Sequence, residues 1–209
     1  MKPAGQSVSS AELSAWVASE TGDATRPWAL VAMDESMLPL VAEVERASHP
    51  HPWGEGHFRD SIAAGYWCQL LVTPSLPGDP ADWDDAPRLA DGRLLLAHLV
   101  AMPGYLETHL LNITTVPLHR RRGCARLLLE ALHAWSRLQG AECLWLEVRA
   151  SNTGARALYE AIGFRQVGRR RDYYPADGGR REDAVIMSLA LVAPDPAAET
   201  SARAGEGRA

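Results

Sequence analysis

Val116-Pro-Leu-His-Arg-Arg-Arg-Gly-Cys-Ala-Arg126 joins an apolar run ending Leu111-Asn-Ile-Thr-Thr-Val116 to the most strongly amphipathic segment of the chain. The run reads as a strand, and Pro117 ends its pairing because proline has no N–H to donate. Ala125, Leu128, Leu129, Leu132 and Trp135 recur at helical spacing, which predicts a helix over Arg122–Gln139 with Gly140 as its stop. Gly123 lets the backbone turn tightly and approach a ligand. The first turn of the helix leaves N–H groups unpaired and adds partial positive charge, a setting that suits phosphate oxygens. The arginines would add charge-assisted bonds at the rim. Taken alone, the residues leave two readings open: an anion-binding loop, or a helix start with a solvated basic face. The spacing is neither that of a GxxxxGKS nucleotide loop nor that of a GxGxxG dinucleotide loop.

Outward from this segment the chain alternates strand and helix. Downstream, Cys143–Val148 reads as a strand, Asn152–Ile162 as a helix closed by Gly163, and Phe164–Arg171 and Ala184–Leu191 as strands. Upstream, Trp28–Ala32 reads as a first strand and Ser36–Ala47 as a helix that Asp34 or Ser36 can cap. Glu55–Ala64 reads as a second helix. Tyr66–Val72, Leu94–Met102 and Leu106–Val116 read as three strands, the first two forming a hairpin. Antiparallel hairpins followed by strand–helix–strand–helix–strand predict an α/β (α+β) domain on one mixed sheet.

The 209 residues suffice for one domain, and 46% apolar with 22% charged residues is a globular balance. Residues 1–27 read as a flexible extension containing a short helix at Ala11–Ser19, and 193–209 as a disordered tail. Residues 28–192 form the domain, interrupted by a surface loop at 73–92 that is rich in proline and aspartate. A net charge of -5 disfavours a general polyanion surface, so the clusters Arg120–Arg122 with Arg126 and Arg169–Arg171 suggest a specific anionic ligand, with no direct nucleic-acid binding expected. Cys68, Cys124 and Cys143 have no metal-like spacing and fit a reducing cytoplasm. The N-terminus lacks a signal-peptide pattern, and no apolar run approaches the ~18 residues a membrane helix needs.

Leu144-Trp-Leu-Glu-Val-Arg-Ala-Ser-Asn-Thr-Gly-Ala-Arg-Ala-Leu-Tyr-Glu-Ala-Ile-Gly-Phe164 is the more specific stretch. Strand alternation puts Trp145, Glu147 and Arg149 on one face, and Leu144, Leu146 and Val148 on the other. A carboxylate in an apolar strand is costly unless paired or wet. Glu147 is therefore either a functional base or a solvent-facing or arginine-paired residue. Tyr159 falls on the inward stripe of the following helix, where a core tyrosine with a satisfied hydroxyl is the alternative. Asn152 can serve simply as a helix cap. Cys124 reads as structural, because no histidine is placed to activate it.

The spacing Arg120-x-x-Gly123-x-Ala125 resembles the pyrophosphate-binding motif of the GCN5-related N-acetyltransferase (GNAT) superfamily. Within it, WLEVRASN, ALYEAIGF, Arg170-Arg-Asp-Tyr-Tyr-Pro175, Arg181-Glu-Asp-Ala-Val-Ile-Met187 and His51-Pro-Trp-Gly-Glu-Gly-His-Phe58 resemble the RimI family, the ribosomal-protein-alanine N-acetyltransferases. The resemblance covers about residues 28–191. It implies a central mixed sheet with a splayed parallel strand pair and helices on both faces, with acetyl-CoA as co-substrate and no metal. Ile113, Thr114 and Thr115 would face the pantetheine, and Arg121, Arg122, Gly123, Cys124, Ala125 and Arg126 the diphosphate, with Asn152 as a further cofactor contact. Glu147 would be the general base and Tyr159 the general acid, with His109 and Glu107 as reserve bases. Trp53, Tyr173 and Tyr174 would lie beside the acceptor peptide. The implied reaction is acetyl transfer to the N-terminal alanine of small-subunit ribosomal protein eighteen, by direct attack in a ternary complex. Acetylation of other N-termini, lysine side chains or a small amine is the alternative, and a non-catalytic RNA-binding module the competing class.

Overall fold

The computed structural model describes residues 27–79, 83 and 85–191. The helix expected at Ala11–Ser19, the tail 193–209 and all but residue 27 of the N-terminal extension lie outside the described residues. Chain order is β1 (Ala29–Ala32), α1 (Leu38–Ser48), α2 (Glu55–Ala63), β2 (Trp67–Thr73), β3 (Leu94–Pro103), β4 (Glu107–Thr115), α3 (Cys124–Leu138), β5 (Cys143–Arg149), α4 (Thr153–Ile162), β6 (Arg165–Pro175) and β7 (Arg181–Ala190). The strands form one sheet in the order β1-β2-β3-β4-β5-β7-β6. The pair β4–β5 is parallel and the other pairs are antiparallel.

Helices cover both faces. Leu38, Val41 and Val44 of α1 and Phe58 of α2 pack with Cys68, Leu70, Leu95 and Val100 on one side. Leu128, Leu129 and Leu132 of α3 and Tyr159 of α4 pack with Leu71, Leu99, Leu144 and Leu146 on the other. Each fully buried leucine contributes ~1.5–3 kcal/mol of burial free energy. Because β3 is covered on both faces, it reads as a nearly continuous apolar run and not as an alternation. The edge strand β6 is exposed along most of its length, and its arginines discourage pairing with another sheet.

Local chemistry sets the element ends. Asp34, not Ser36, is the cap that forms: its carboxylate accepts from Ser36 N at 2.8 Å and starts a 3₁₀ turn, Glu35–Met37, ahead of α1. Asn152 caps α4 by accepting from Ala155 N at 3.1 Å, and Gly163 closes it with φ 113°. The last hairpin is longer than the alternation suggests. β6 continues through Pro175 because a bulge between Arg170 and Tyr174 absorbs extra residues.

Within the 73–92 segment, Trp83, Ala86 and Leu89 are buried. The Trp83 ring meets His119 edge-on with centroids 4.8 Å apart, and the Arg122 guanidinium lies 5.1 Å from the Trp83 centroid. The insertion thus packs beneath the loop that leads into α3.

Candidate active site

Two neighbouring strands part company at the centre of the sheet. The β4–β5 pairing runs from Glu107–Cys143 to Leu110–Leu146 and stops there. Beyond that point β4 stays paired to β3 through Thr115, and β5 to β7 through Arg149. A gap therefore opens between them. A bulge starts it: Val100 pairs with Asn112 and Ala101 with Leu110, leaving Leu111 as the extra residue.

Three cavities meet at the gap. A groove of about 730 Å³ runs along Ile113, Thr114 and Thr115 to Arg120, Arg121, Gly123, Cys124, Ala125 and Arg126, with Asn152 and Tyr159 on its far wall. A central cavity of about 270 Å³ is lined by Glu45, His49, Trp53, Ile113, Glu147, Asn152, Tyr159 and Tyr174, among others. A third, of about 530 Å³, is lined by Trp53, His109, Glu147, Arg170, Tyr173 and Tyr174, among others. The central cavity shares His49, Ile113, Asn152 and Tyr159 with the first groove, and residues including Trp53, Glu147 and Tyr174 with the third.

The first groove is built for an anionic, elongated ligand. Gly123 takes φ 88° as the N-cap of α3, a conformation that costs a side-chain-bearing residue strain. The N–H groups of the first helical turn have no acceptor within the helix. Arg120, Arg121 and Arg126 line the same groove. Arg122 does not; it stacks on Trp83. The Cys124 thiol is buried, 3.7 Å from the His119 carbonyl, and burial pushes its pKa up to about 12, so it is inert as a nucleophile.

At the other end, Glu147 projects from β5 toward the last hairpin. Its Oε1 lies 2.7 Å from Arg170 Nε. The Tyr173 hydroxyl is hydrogen-bonded to the same carboxylate, which raises the Tyr173 pKa. The Tyr174 hydroxyl donates to the Glu147 carbonyl at 3.2 Å, and burial pushes its pKa up to about 12. Tyr159 is 6% exposed, and burial raises its pKa far above the ordinary value, so it keeps its proton at neutral pH. His109 and Glu107 pair with each other at 3.0 Å on the closed part of β4; His109 reaches the third cavity.

A buried polar cluster flanks the central cavity. Glu45, 1% exposed, accepts from His98 Nε2 at 3.1 Å, Asn112 Nδ2 at 3.1 Å and Thr114 Oγ1 at 2.5 Å, and its other oxygen accepts from Trp53 N at 3.3 Å. Burial opposes ionisation of Glu45, but the bonds from His98 and Thr114 and the attraction of His98 and His49 outweigh it and lower its pKa to about 2. The carboxylate thus ties α1 to the strand lining the groove and to the loop carrying Trp53.

A splayed parallel pair, a glycine-started helix facing one groove, and Glu147 and Tyr159 at the junction are a fold-specific arrangement. The family model described as the acetyltransferase (GNAT) family matches residues 38–164. The chain belongs to the GNAT family. It is an N-acetyltransferase, and acetyl-CoA is its co-substrate. The [ribosomal protein bS18]-alanine N-acetyltransferase of Salmonella typhimurium is 37% identical over 154 residues, 74% of this chain and 91% of that protein. That of Escherichia coli strain K12 is 34% identical over 160 residues, 77% of this chain and 95% of that protein. The crystal structure of the ribosomal-protein-S18-alanine N-acetyltransferase from Escherichia coli superposes with TM-score 0.65 at 32% identity, covering 81% of this chain and 97% of that one.

The GNAT reading of the sequence missed the Glu45 cluster. A signal was present: Glu45 falls four residues after Val41 on the apolar stripe of α1, and His98 interrupts the apolar run Leu94-Leu-Leu-Ala-His-Leu-Val100. No helix among the described residues is long and apolar enough to cross a membrane. Among the same residues no three His, Cys, Asp or Glu side chains group as metal ligands.

Proposed function

We propose that this enzyme acetylates the α-amine of an N-terminal alanine on ribosomal protein bS18, the acceptor for which its 34–37% identical relatives are named. The reaction would take place in the cytoplasm, where ribosomal proteins and acetyl-CoA meet. The observation that carries this reading is the central cavity, whose lining includes both Glu147 and Tyr159 and which adjoins a coenzyme-sized groove on one side and a peptide-sized cavity on the other.

In this reading the diphosphate of acetyl-CoA binds the loop Arg121–Arg126 through its amides and through Arg121 and Arg126, while Arg122 is turned to Trp83. The pantetheine pairs with the free backbone edge of Ile113, Thr114 and Thr115, and Asn152 borders it. The peptide enters past Trp53, Tyr173 and Tyr174. An α-amine has a pKa near ~7.7–8.0, so much of it is protonated at neutral pH and a base is needed. Glu147 takes a proton from it, directly or through one water. The amine attacks the thioester in a ternary complex, and Tyr159 protonates the departing sulfur. The Tyr174 hydroxyl bonds the Glu147 carbonyl and so ties the peptide-side hairpin to the strand that carries the base.

The test is acetylation of peptides beginning with the bS18 N-terminal sequence against peptides with a blocked N-terminus and a free lysine. Selective modification of the alanine α-amine is expected. Equal or greater modification of the lysine would overturn the acceptor assignment in favour of a side-chain or small-amine acetyltransferase. In cells lacking the gene, mass spectrometry should find bS18 without its N-terminal acetyl group.

A further inference from the structure

An α-ammonium group that becomes an amide loses two protons, whereas the departing thiolate takes up one. Glu147 accounts for one proton acceptor, and the second transfer has no residue assigned. Any second acceptor presupposes the roles proposed for Glu147 and Tyr159. Four residues, His49, Ile113, Asn152 and Tyr159, line both the central cavity and the coenzyme groove. Among them the histidine is the side chain able to accept a proton near neutral pH.

Its hydrogen bonds assign the tautomer. Thr114 Oγ1 lies 2.5 Å from Glu45 Oε1. An ionised carboxylate only accepts, so the threonine proton sits on that bond. The same oxygen lies 2.8 Å from His49 Nε2 and can only accept from it. Nε2 therefore carries the imidazole hydrogen, and Nδ1 keeps a free lone pair. The groups around the ring are Glu45 from the last turn of α1 at 3.8 Å, His98 from β3, Arg120 from the phosphate-side loop and Arg149 from β5. Burial lowers the His49 pKa against the pull of Glu45, and His98, Arg120 and Arg149 lower it further, so the ring is neutral at neutral pH. The ring is nonetheless 37% exposed, open to the junction of the two cavities.

We propose that His49 is a second catalytic proton acceptor, taking the remaining amine proton on Nδ1 as the new C–N bond forms. Glu147 removes one proton from the ammonium, and the freed lone pair bonds to the acetyl carbon. The C–S bond breaks with its electron pair going to sulfur, which takes the Tyr159 hydroxyl proton. His49 takes the second nitrogen proton. Of the two protons then held by Glu147 and His49, one restores Tyr159 and the other leaves to solvent, matching the net release of one proton. Glu45 and Thr114 are positioning residues: they hold the ring in the tautomer that can accept.

The experiment compares wild type, His49→Ala and His49→Gln in the full chain, with acetyl-CoA and an alanine-starting peptide. Turnover is expected to fall about 10²-fold or more in both variants, with acetyl-CoA affinity retained. Added imidazole should restore turnover to His49→Ala in proportion to its unprotonated fraction and leave Glu147→Gln unchanged, a response that a lost packing contact would not give. Turnover within threefold of wild type, or no rescue, would overturn the proposal. Long-range ¹H–¹⁵N spectra of the acetyl-CoA complex at pH 7 should show His49 protonated at Nε2 alone; an Nδ1–H tautomer or an imidazolium would also overturn it. A wild-type enzyme inert toward alanine peptides would instead sink the acceptor assignment, and the nitrogen spectra would still judge His49.

Discussion

Arg170 Nε of β6 lies 2.7 Å from Glu147 Oε1 of β5, reaching over the intervening strand β7. A carboxylate that lines both the central and the peptide-side cavities is thus steered by an arginine of the strand that carries Tyr173 and Tyr174. The arginine is more than half exposed, so the pair orients more than it stabilises. Replacing Glu147 by Gln keeps the shape and the hydrogen-bond acceptor but removes the basicity. Turnover should fall about 10²–10⁴-fold while acetyl-CoA affinity, measured by calorimetry, stays within a factor of two or so. A variant with wild-type kcat would exclude Glu147 as the base.

Tyr159 is held by its ring against Phe164, with centroids 5.7 Å apart, and sits in the main core cluster. Removing only the hydroxyl leaves that packing in place. Tyr159→Phe should therefore melt within a few degrees of wild type yet lose about 10²-fold or more in kcat. If instead the loss lies in Tm and kcat is kept, Tyr159 is a core residue and nothing more.

Trp83 is 5% exposed and joins the insertion to the loop before α3 through His119 and Arg122. Truncation to Ala should cost about 3–5 kcal/mol if the site does not collapse. The loop it supports carries the coenzyme-side arginines, so KM for acetyl-CoA should rise several-fold with kcat little changed. Steady-state kinetics with acetyl-CoA varied would check this; a change in kcat alone would contradict it.

Glu45 has a folded-state pKa of about 2 against an ordinary value of 4.5. A depressed carboxylate pKa contributes stability that is present above the unfolded-state value and is lost as pH falls through the folded-state value. The contribution is about 3 kcal/mol at neutral pH and should disappear between pH about 5 and about 2. Urea midpoints measured across that range should fall for wild type and fall less steeply for Glu45→Gln, which is weaker at neutral pH. Parallel slopes would show that other carboxylates dominate acid unfolding.

Local patterns determined much of this protein. The period of two along Cys143–Arg149 put Glu147, Trp145 and Arg149 on one side of β5, and the helical stripe of Ala155, Leu158, Tyr159 and Ile162 turned Tyr159 inward. Gly123 before an amphipathic run marked the start of α3, and Asn152 and Gly163 marked the ends of α4. Each of these signals lies within or at the end of a single helix or strand, so the chain carries it wherever it folds.

Tertiary structure decided the rest. That β4 and β5 pair over four residues and then part depends on where β3 and β7 hold their outer edges. That Glu45 is an ionised hub, and that His49 is fixed in one tautomer, depends on His98, Asn112 and Thr114, which follow Glu45 by 53, 67 and 69 residues. Contacts at such separations leave no period in the sequence. They exist because burying apolar faces on both sides of the sheet brings α1, β3 and β4 together, and a buried carboxylate must then find its donors among whatever those elements present.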